Sequence, residues 1–199
     1  FLNCPVMTFY YPAGSEANWG TEWQGFPTQA WSLPEALVIE PLTYTQIGKT
    51  LNYAVSSFDN EYSGLLSIPD LMEYEGIPCQ VTLIKNSVFN WNSSLTKIIL
   101  PGSVSVIEDY AFQDVHSLRE VYFLSTTPPD AQQSAFSGCY DMTVYYPSDS
   151  QNNWGSSWNG FPAQPWELPE ILSLPPLTYQ RIGMSRNYEV AACNSNCAG

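Results

Sequence analysis

The sequence has few basic residues, a single histidine and no long hydrophobic run. Its 199 residues contain 19 Asp and Glu against 6 Lys and Arg, which gives a formal net charge of −13. Nucleic acids and anionic membrane surfaces are bound by basic proteins, so this charge argues against both as partners. No apolar stretch approaches the roughly 20 residues that a membrane-spanning helix needs. We therefore expect no nucleic-acid partner and no membrane span in this segment.

Charged residues are scarce, whereas aromatic residues are plentiful. Asp, Glu, Lys and Arg make up 13% of the chain, and Phe, Trp and Tyr make up 15%. Hydrophobic residues account for 44%, which is more than disordered chains contain, so we expect a folded core. Low charge together with many hydroxyl, amide and aromatic side chains favours an extracellular or cell-surface location.

A long internal duplication organises the chain. Residues 7–55 match residues 142–190 without a gap, at 28 of 49 positions and an offset of 135. The motif Met-Thr-Phe-Tyr-Tyr-Pro at 7–12 returns as Met-Thr-Val-Tyr-Tyr-Pro at 142–147. A duplication of this length predicts tandem repetition of a unit whose length equals that offset.

A shorter period lies inside each unit. Ile84 recurs as Ile107 and Phe112 recurs as Phe136, with offsets of 23 and 24. Residues 95–101 are a β-branched run that ends in Pro, followed by Gly, which is typical of a short strand and a turn. A period in the twenties predicts a β-rich solenoid, in which each coil buries its apolar side against its neighbours.

Residues 95–112 follow the pattern Leu-x-x-Ile-x-Leu-Pro-x-x-Val-x-x-Ile-x-x-x-Ala-Phe. This pattern resembles the BspA-type leucine-rich repeat of bacterial and protist surface proteins. The resemblance covers about 65–165, with a second partial copy at 1–31. It implies a short leucine-rich-repeat solenoid closed by an aromatic cap. It also implies a role in adhesion, assembly or contact with host proteins.

The patterns divide the chain into four predicted segments. Residues 1–35 form the end of a first repeat block with a Trp-rich cap, and residues 36–64 form a β-rich connector. Residues 65–170 form a second block with its own Trp-rich cap, and residues 171–199 begin a further connector. The predicted fold class is mainly β, with BspA-like leucine-rich-repeat solenoid blocks tandemly repeated at the offset of 135.

We predict no catalytic, cofactor-binding or metal-binding residues. His116 lies in a polar loop whose counterparts one coil away are Ser93 and Tyr140, so the loop does not require an imidazole. Residues 48–50 resemble the end of a phosphate-binding loop, but Thr43 occupies the position where that motif requires its first glycine. A glycosidase that uses two carboxylates stays formally open, although the acidic residues lie in turn-rich segments that favour solvated side chains.

The sequence contains two candidate sites of covalent modification. Cys193 and Cys197 stand where the first copy has Phe58 and Tyr62, so both cysteines belong to one copy only. This favours a disulfide within a turn. Asn92 begins the only Asn-x-Ser/Thr sequon, and we expect its side chain to face solvent in a polar loop, where it could carry an N-linked glycan.

The tryptophans are the candidate contact residues for a glycan or a protein interface. Exposed Trp side chains stack on sugars and anchor protein interfaces. The alternative is that they cover the apolar end of each solenoid block. The candidates are Trp19, Trp23 and Trp31 with their copies Trp154, Trp158 and Trp166.

These observations predict a non-enzymatic repeat protein of the cell exterior. Its expected task is adhesion to a host or matrix protein or to a surface glycan, through many weak contacts made multivalent by repetition. The first alternative is a structural role, in which copies stack end to end as a filament or surface layer. A second alternative is an accessory region that tethers a catalytic domain.

Overall fold

The computed structural model describes residues 7–166 and, by backbone only, three later strands at 171–174, 177–181 and 188–193. Regular structure is almost entirely β, which confirms the predicted fold class. Among the described residues, the helices α1 (Glu16–Trp19) and α2 (Gln151–Trp154) and the 3-10 helix at Ser148–Ser150 are single turns. None of the helices described has the length and apolarity of a membrane span.

The strands are numbered in chain order. They are β1 (Phe9–Pro12), β2 (Glu22–Trp23), β3 (Phe26–Trp31), β4 (Ala36–Ile39), β5 (Leu42–Gln46), β6 (Asn52–Phe58), β7 (Gly64–Ser67), β8 (Leu71–Tyr74), β9 (Ile77–Ile84), β10 (Leu95–Leu100), β11 (Val106–Ile107), β12 (Glu120–Phe123), β13 (Asp130–Ala131), β14 (Thr143–Pro147), β15 (Ser157–Trp158), β16 (Phe161–Trp166), β17 (Ile171–Leu174), β18 (Leu177–Arg181) and β19 (Tyr188–Cys193).

One side of the solenoid is a six-stranded sheet, here called the front sheet. Its order is β15-β16-β14-β12-β10-β7, and all neighbours except β15 and β16 are parallel. In β10, Ile98 and Leu100 are buried whereas Lys97 and Ile99 are half-buried. This alternation is the period of two that a strand imposes on its side chains. The front sheet therefore has one face in the core and one face towards solvent.

The opposite side is a seven-stranded sheet, here called the back sheet. Its path is β13-β11-β9-β6-β5-β4, and β8 also pairs with β9. The strands β4, β5 and β6 form an antiparallel meander, whereas β6 pairs with β9 in parallel. The β-rich connector is thus continuous with the back sheet of the second block, because its last strand supplies the first parallel pairing.

A row of stacked phenylalanines fills the third side of the coils. Phe89 and Phe112 stack with ring centroids 4.7 Å apart, and Phe112 and Phe136 stack at 4.8 Å with an interplanar angle of 2°. The row continues less regularly to Phe58 at one end and Phe161 at the other. The rings align because Phe recurs at the same position of each coil. This stacking of coils confirms the predicted solenoid.

A Trp-rich cap closes the second block. Trp154 is 4% exposed and stacks on Tyr146 with ring centroids 5.5 Å apart. Trp154 and Trp158 each lie 4.9 Å from the ring of Phe123, and Trp158 also contacts Phe136 at 5.6 Å. These indoles cover the apolar end of the last coil, which a solenoid must shield from water.

The two sequence copies share their strand registers. Tyr11 of β1 lies opposite Ala30 of β3, and their copies, Tyr146 of β14 and Pro165 of β16, lie opposite each other. The register of β4 with β5 likewise equals that of β17 with β18. Tandem repetition at the offset of 135 and the four segment boundaries stay sequence-based predictions.

Candidate contact surface

The solvent face of the front sheet carries three aromatic side chains, here called the aromatic row: Tyr122, Tyr145 and Trp166. Parallel pairing places Tyr122 of β12 directly opposite Tyr145 of β14. Their rings stack with centroids 4.6 Å apart and an interplanar angle of 11°. Trp166 meets Tyr122 edge to face at 5.5 Å. The spacing follows from the distance between neighbouring strands, which is about 4.8 Å.

Both faces of the Tyr122 ring are engaged. Tyr145 stacks on one face, and the ammonium group of Lys97 lies over the ring, 5.1 Å from its centroid. Lys97 also donates a hydrogen bond to Glu120 across 2.6 Å, and the Tyr122 hydroxyl donates to the same carboxylate across 3.1 Å. Tyr122 therefore offers its ring edge and hydroxyl group to a partner, not an open ring face.

The Lys97–Glu120 pair shifts the pKa of each partner. The hydrogen bond between them raises the pKa of Lys97 and lowers the pKa of Glu120, so both groups are held in their charged forms. Burial, followed by the hydrogen bond to Glu120, raises the pKa of the Tyr122 hydroxyl. The edge of the aromatic row is consequently polar, but the charges of Lys97 and Glu120 cancel each other.

The candidate tryptophans separate into different environments. Trp154 is buried in the second cap, so its proposed role as a contact residue is wrong for the folded chain, because the side chain is not accessible. Trp158 is half-buried against the core. Trp166 is the one member of the second copy that lies on the aromatic row. Its Nε1 is 3.5 Å from the carbonyl oxygen of Phe123.

The first cap holds the other three tryptophans. Trp19 stacks on Tyr11 at 5.7 Å, as Trp154 stacks on Tyr146. Trp23 lies edge to face with Phe9 at 4.8 Å and is 37% exposed. Trp31 lines a cleft beside β5. The structure therefore does not bring the six tryptophans together into one surface.

Sequence analysis missed Tyr122 and Tyr145. The available signal was that their offset equals that of Ile84 and Ile107, the period of the coil, and that each Tyr stands between two apolar or aromatic residues of a short strand. Recurrence at the period of the coil places residues at equivalent positions of neighbouring strands, and alternation then identifies the outward-facing side.

Asn92 does not face solvent, so that expectation is wrong. Its side chain is 2% exposed. Its Oδ1 accepts hydrogen bonds from the backbone N–H groups of Ser94 and Leu95 across 2.9 and 2.6 Å, and its Nδ2 donates to the Asn60 carbonyl across 3.2 Å. Attachment of a glycan to Nδ2 would disturb its hydrogen bond to Asn60 and place a sugar at a buried position, so the folded geometry disfavours modification.

The cysteines that the structure describes are buried thiols. Cys79 and Cys139 are both free and buried. Burial raises the pKa of Cys139 to about 11, and its thiol donates to the Phe112 carbonyl across 3.2 Å. The predicted Cys193–Cys197 disulfide lies outside the side chains that are described, and it stays a prediction.

His116 is exposed beside the turn of its coil. Its Nδ1 is 2.8 Å from the Gly138 carbonyl oxygen, and its ring stacks on Tyr140 at 5.8 Å. Within residues 7–166, no cluster of three His, Cys, Asp or Glu side chains is arranged to hold a metal ion. These contacts give His116 a packing role at the surface of the coil.

Parallel strands on two sides of a coil, joined by turns that stack phenylalanines, define a leucine-rich-repeat solenoid. Residues 72–157 match the family described as BspA type Leucine rich repeat region (6 copies). This segment is therefore a BspA-type leucine-rich repeat region, as its sequence pattern predicts.

Solved structures with a similar arrangement are distant in sequence. A leucine-rich cell surface protein from Faecalibacterium prausnitzii A2-165 is 22% identical over 57% of this chain and 30% of its own, with a TM-score of 0.47. A leucine-rich repeat protein from Bacteroides capillosus ATCC 29799 is 22% identical over 57% of this chain and 99% of its own, with a TM-score of 0.45. Pneumococcal vaccine antigen PcpA is 12% identical over 59% of this chain and 34% of its own, at 0.38.

The chain thus corresponds to under a third of the Faecalibacterium protein. No curated protein matches it.

Proposed function

We propose that this chain is a protein-contact module of a cell-surface repeat protein, and that the aromatic row is its contact site. The observation that carries the proposal is the alignment of Tyr122, Tyr145 and Trp166 on the solvent face of the front sheet. Supporting it, the repeat region is of BspA type, a resemblance that implies a surface location and a role in contact. The proposal includes no catalytic activity.

The packing of the row favours a protein partner over a glycan. A sugar ring binds an aromatic side chain through an open ring face, but the faces of Tyr122 are covered by Tyr145 and Lys97. Protein interfaces, in contrast, use Tyr through its apolar edge and its hydroxyl group together. Host or matrix proteins are therefore the partners that suit this surface.

The charge of the chain restricts the partner further. The formal net charge is −13, and the cation nearest to the row, Lys97, is neutralised by Glu120. An acidic partner surface would be repelled, whereas a neutral or basic one would be attracted at low ionic strength. The proposed partner is a matrix or host protein with a neutral or basic patch.

The experiment measures binding of the chain to immobilised fibronectin, laminin, fibrinogen and collagen by surface plasmon resonance. We expect binding to at least one of them, and we expect Tyr145→Ala to weaken it about tenfold or more, as loss of a central interface aromatic does. Tyr140→Ala is the matched control, because Tyr140 is 77% exposed and lies outside the row.

The outcome that contradicts the proposal is binding that Tyr145→Ala and Trp166→Ala leave unchanged. Absence of binding to every protein in the panel, by a chain with a normal thermal transition, would also count against it. Circular dichroism of each variant separates loss of contact from loss of folding.

A filament or surface layer is a second candidate, favoured by the duplication of residues 7–55 as residues 142–190. Repeated units bury the apolar ends of their coils by stacking, so they are suited to end-to-end assembly. Tyr10, the copy of Tyr145, is 61% exposed. An exposed aromatic side chain of this kind is a candidate contact between copies.

Light scattering across a concentration series, with electron micrographs of the same samples, tests the filament. Regular fibres that Tyr10→Lys abolishes would support assembly through β1. A constant monomer mass at all concentrations would contradict self-assembly of this chain and leave the protein-contact proposal untouched.

A further inference from the structure

A cleft of about 500 Å³, here called the turn cleft, opens on the third side of the coils, where Phe136 lines it. Asp109 and Tyr110 come to it from one coil, Gln133 comes from the next coil, and Asn159 comes from the hairpin of β15 and β16. The volume is within the range of small-molecule sites, about 300–1,000 Å³. No residue of the aromatic row lines the turn cleft, so the protein-contact proposal does not use it.

The turn cleft contains a carboxylate whose position is fixed by its neighbours. Oδ1 of Asp109 accepts a hydrogen bond from the hydroxyl group of Ser134, and the Asp109 backbone N–H donates to the side-chain oxygen of Gln132 across 2.9 Å. No Lys, Arg or His lines the cleft. Among residues 7–166 the one ion pair within 4 Å joins Lys97 to Glu120. Asp109 is therefore an oriented negative charge that no cation of the described region neutralises.

Tyr110 lines the same cleft in a backbone conformation that is unfavourable for its type. Its φ is 59°, in the left-handed region where a bulky side chain is an outlier. Ser87, at the equivalent position one coil earlier, has the same φ, so the turn itself imposes the conformation. The Tyr110 side chain is 44% exposed and lies outside the hydrophobic core. Because core packing does not offset the backbone strain, the strain points to a functional role for the ring.

The other polar side chains of the turn cleft are free to bind a ligand. Gln133, Ser137 and Asn159 line it and are exposed, and their side chains make no hydrogen bond within residues 7–166. Each of the three has an oxygen atom that can accept a hydrogen bond. The cleft therefore combines one carboxylate, several neutral acceptors and one aromatic ring.

We propose that the turn cleft binds an arginine side chain that a partner protein presents. A guanidinium group is a cation with five N–H donors and no acceptor, and its plane stacks on aromatic rings. Asp109 matches the charge, and the Tyr110 ring matches the plane. The side-chain oxygens of Gln133 and Asn159 accept further N–H groups. A lysine ammonium has three donors and no plane that stacks, so it fits the cleft less well.

The inference rests on the proposed function only for the source of the arginine, and the site itself is tested without a partner protein. The experiment is an NMR titration of the ¹⁵N-labelled chain with N-acetyl-arginine methylamide. We expect a millimolar dissociation constant and the largest shifts at Asp109, Tyr110 and Asn159. The citrulline analogue, which has a similar shape but no charge, should bind about tenfold more weakly, since it loses a hydrogen bond between charged groups. The lysine analogue should also bind more weakly than the arginine probe.

Two substitutions separate binding from folding. Asp109→Asn keeps an acceptor for Ser134 but removes the charge, so the preference for arginine over citrulline should disappear. Tyr110→Asn places a residue that tolerates the left-handed region in the turn. The melting temperature should therefore stay or rise, while arginine affinity falls about threefold, as loss of an exposed cation–π contact does. Asp149→Asn is the matched control, because it removes one exposed carboxylate outside the cleft and should leave affinity unchanged.

The proposal is overturned if the arginine probe does not bind at tens of millimolar, or if the citrulline or lysine analogue binds as tightly. It is also overturned if Asp109→Asn and Asp149→Asn have equal effects, or if Asp109→Asn leaves the binding of a captured matrix protein unchanged. Binding of the arginine probe by a chain that captures no protein of the panel would contradict the protein-contact proposal and the protein source of the arginine, but not the site.

Discussion

At the residue scale, Asn92 shows how one buried amide fixes the path of the chain into β10. It occupies a turn and supplies the acceptor for two successive backbone N–H groups at the start of that strand. A sequon describes three residues only. It carries no information about which backbone donors lie nearby, so the sequence motif predicted a surface role where the fold uses a buried one.

The Asn92→Ala substitution should lower the free energy of unfolding by about 1–3 kcal/mol, since it leaves buried backbone donors unpaired. Chemical denaturation followed by circular dichroism measures the loss. Asn90→Ala is the matched control, because Asn90 is half-buried in the same turn and its side chain has no hydrogen bond within the described region. A loss equal to that of Asn90→Ala would contradict the structural role of Asn92.

The Lys97–Glu120 pair gives a pH-dependent prediction. Because the pKa of Glu120 is lowered in the folded state, its contribution to stability is complete above the ordinary carboxyl value of about 4.3. That contribution is lost as the pH falls through the lowered value. The raised pKa of Lys97 has the opposite consequence: its contribution is complete below about pH 10.4 and is lost as the pH rises through the folded value.

A double-mutant cycle with Lys97→Met and Glu120→Gln measures this pair. Both side chains are about one-third exposed, so we expect a coupling energy below about 1 kcal/mol at pH 7. The coupling should approach zero in strong acid and decrease with added salt. A coupling energy that is constant from neutral pH into strong acid would disprove this account.

At the scale of structural elements, the coil is the unit that sequence periodicity predicts best. The recurrence of Ile84 at Ile107 and of Phe112 at Phe136 identified the repeat because the same position of each coil meets the same position of the next. The burial of these four positions in the core followed from the same recurrence. The stacking of Tyr122 on Tyr145 did not, because it depends on the register between parallel strands.

The stacked phenylalanines should couple neighbouring coils. Phe112 is fully buried between two rings at 4.7 and 4.8 Å. Phe112→Ala should therefore lower the free energy of unfolding by about 3–5 kcal/mol. Tyr140→Ala, which truncates an exposed ring, should stay within about 0.5 kcal/mol of the parent chain. Thermal and urea denaturation compare the two variants, and similar losses in both would refute the coupling.

At the scale of the whole molecule, the sequence predicted the class of fold but not the cleft between the first cap and the antiparallel meander. The Trp-rich cap and the β-rich connector were both recognised from their composition and from the duplication of residues 7–55 as residues 142–190. The cleft between Trp31 and Thr45 was not, because these residues lie in different segments of the sequence. Their approach depends on how the first cap packs beside the meander.

The net charge gives a prediction for the entire chain. A formal charge of −13 with a single ion pair among the described residues means that repulsion between like charges dominates the surface electrostatics. Raising the salt concentration at pH 7 should therefore increase the melting temperature, since screening weakens this repulsion. Differential scanning calorimetry measures the shift.

The same measurement near the isoelectric point, about 4.1, is the control. The net charge is close to zero there, so added salt should have little effect on the melting temperature. A decrease with salt at pH 7 would mean that attractive pairs outweigh the repulsion.

The direction of the hydrogen bonds between coils has a mechanical consequence. Strands and turns alike bond to a neighbouring coil. Arg119 N–H donates to the Thr96 carbonyl of the preceding coil, and Phe112 N–H donates to the Ala135 carbonyl of the next. A tensile load along the stacking axis therefore breaks the hydrogen bonds between one pair of coils before it loads the next pair. Each coil would release about 75 Å of chain as it opens, at about 3.3 Å per residue over one period of the repeat. Under a pulling force the molecule would lengthen in discrete steps. Each step would dissipate energy while the unopened coils stay folded.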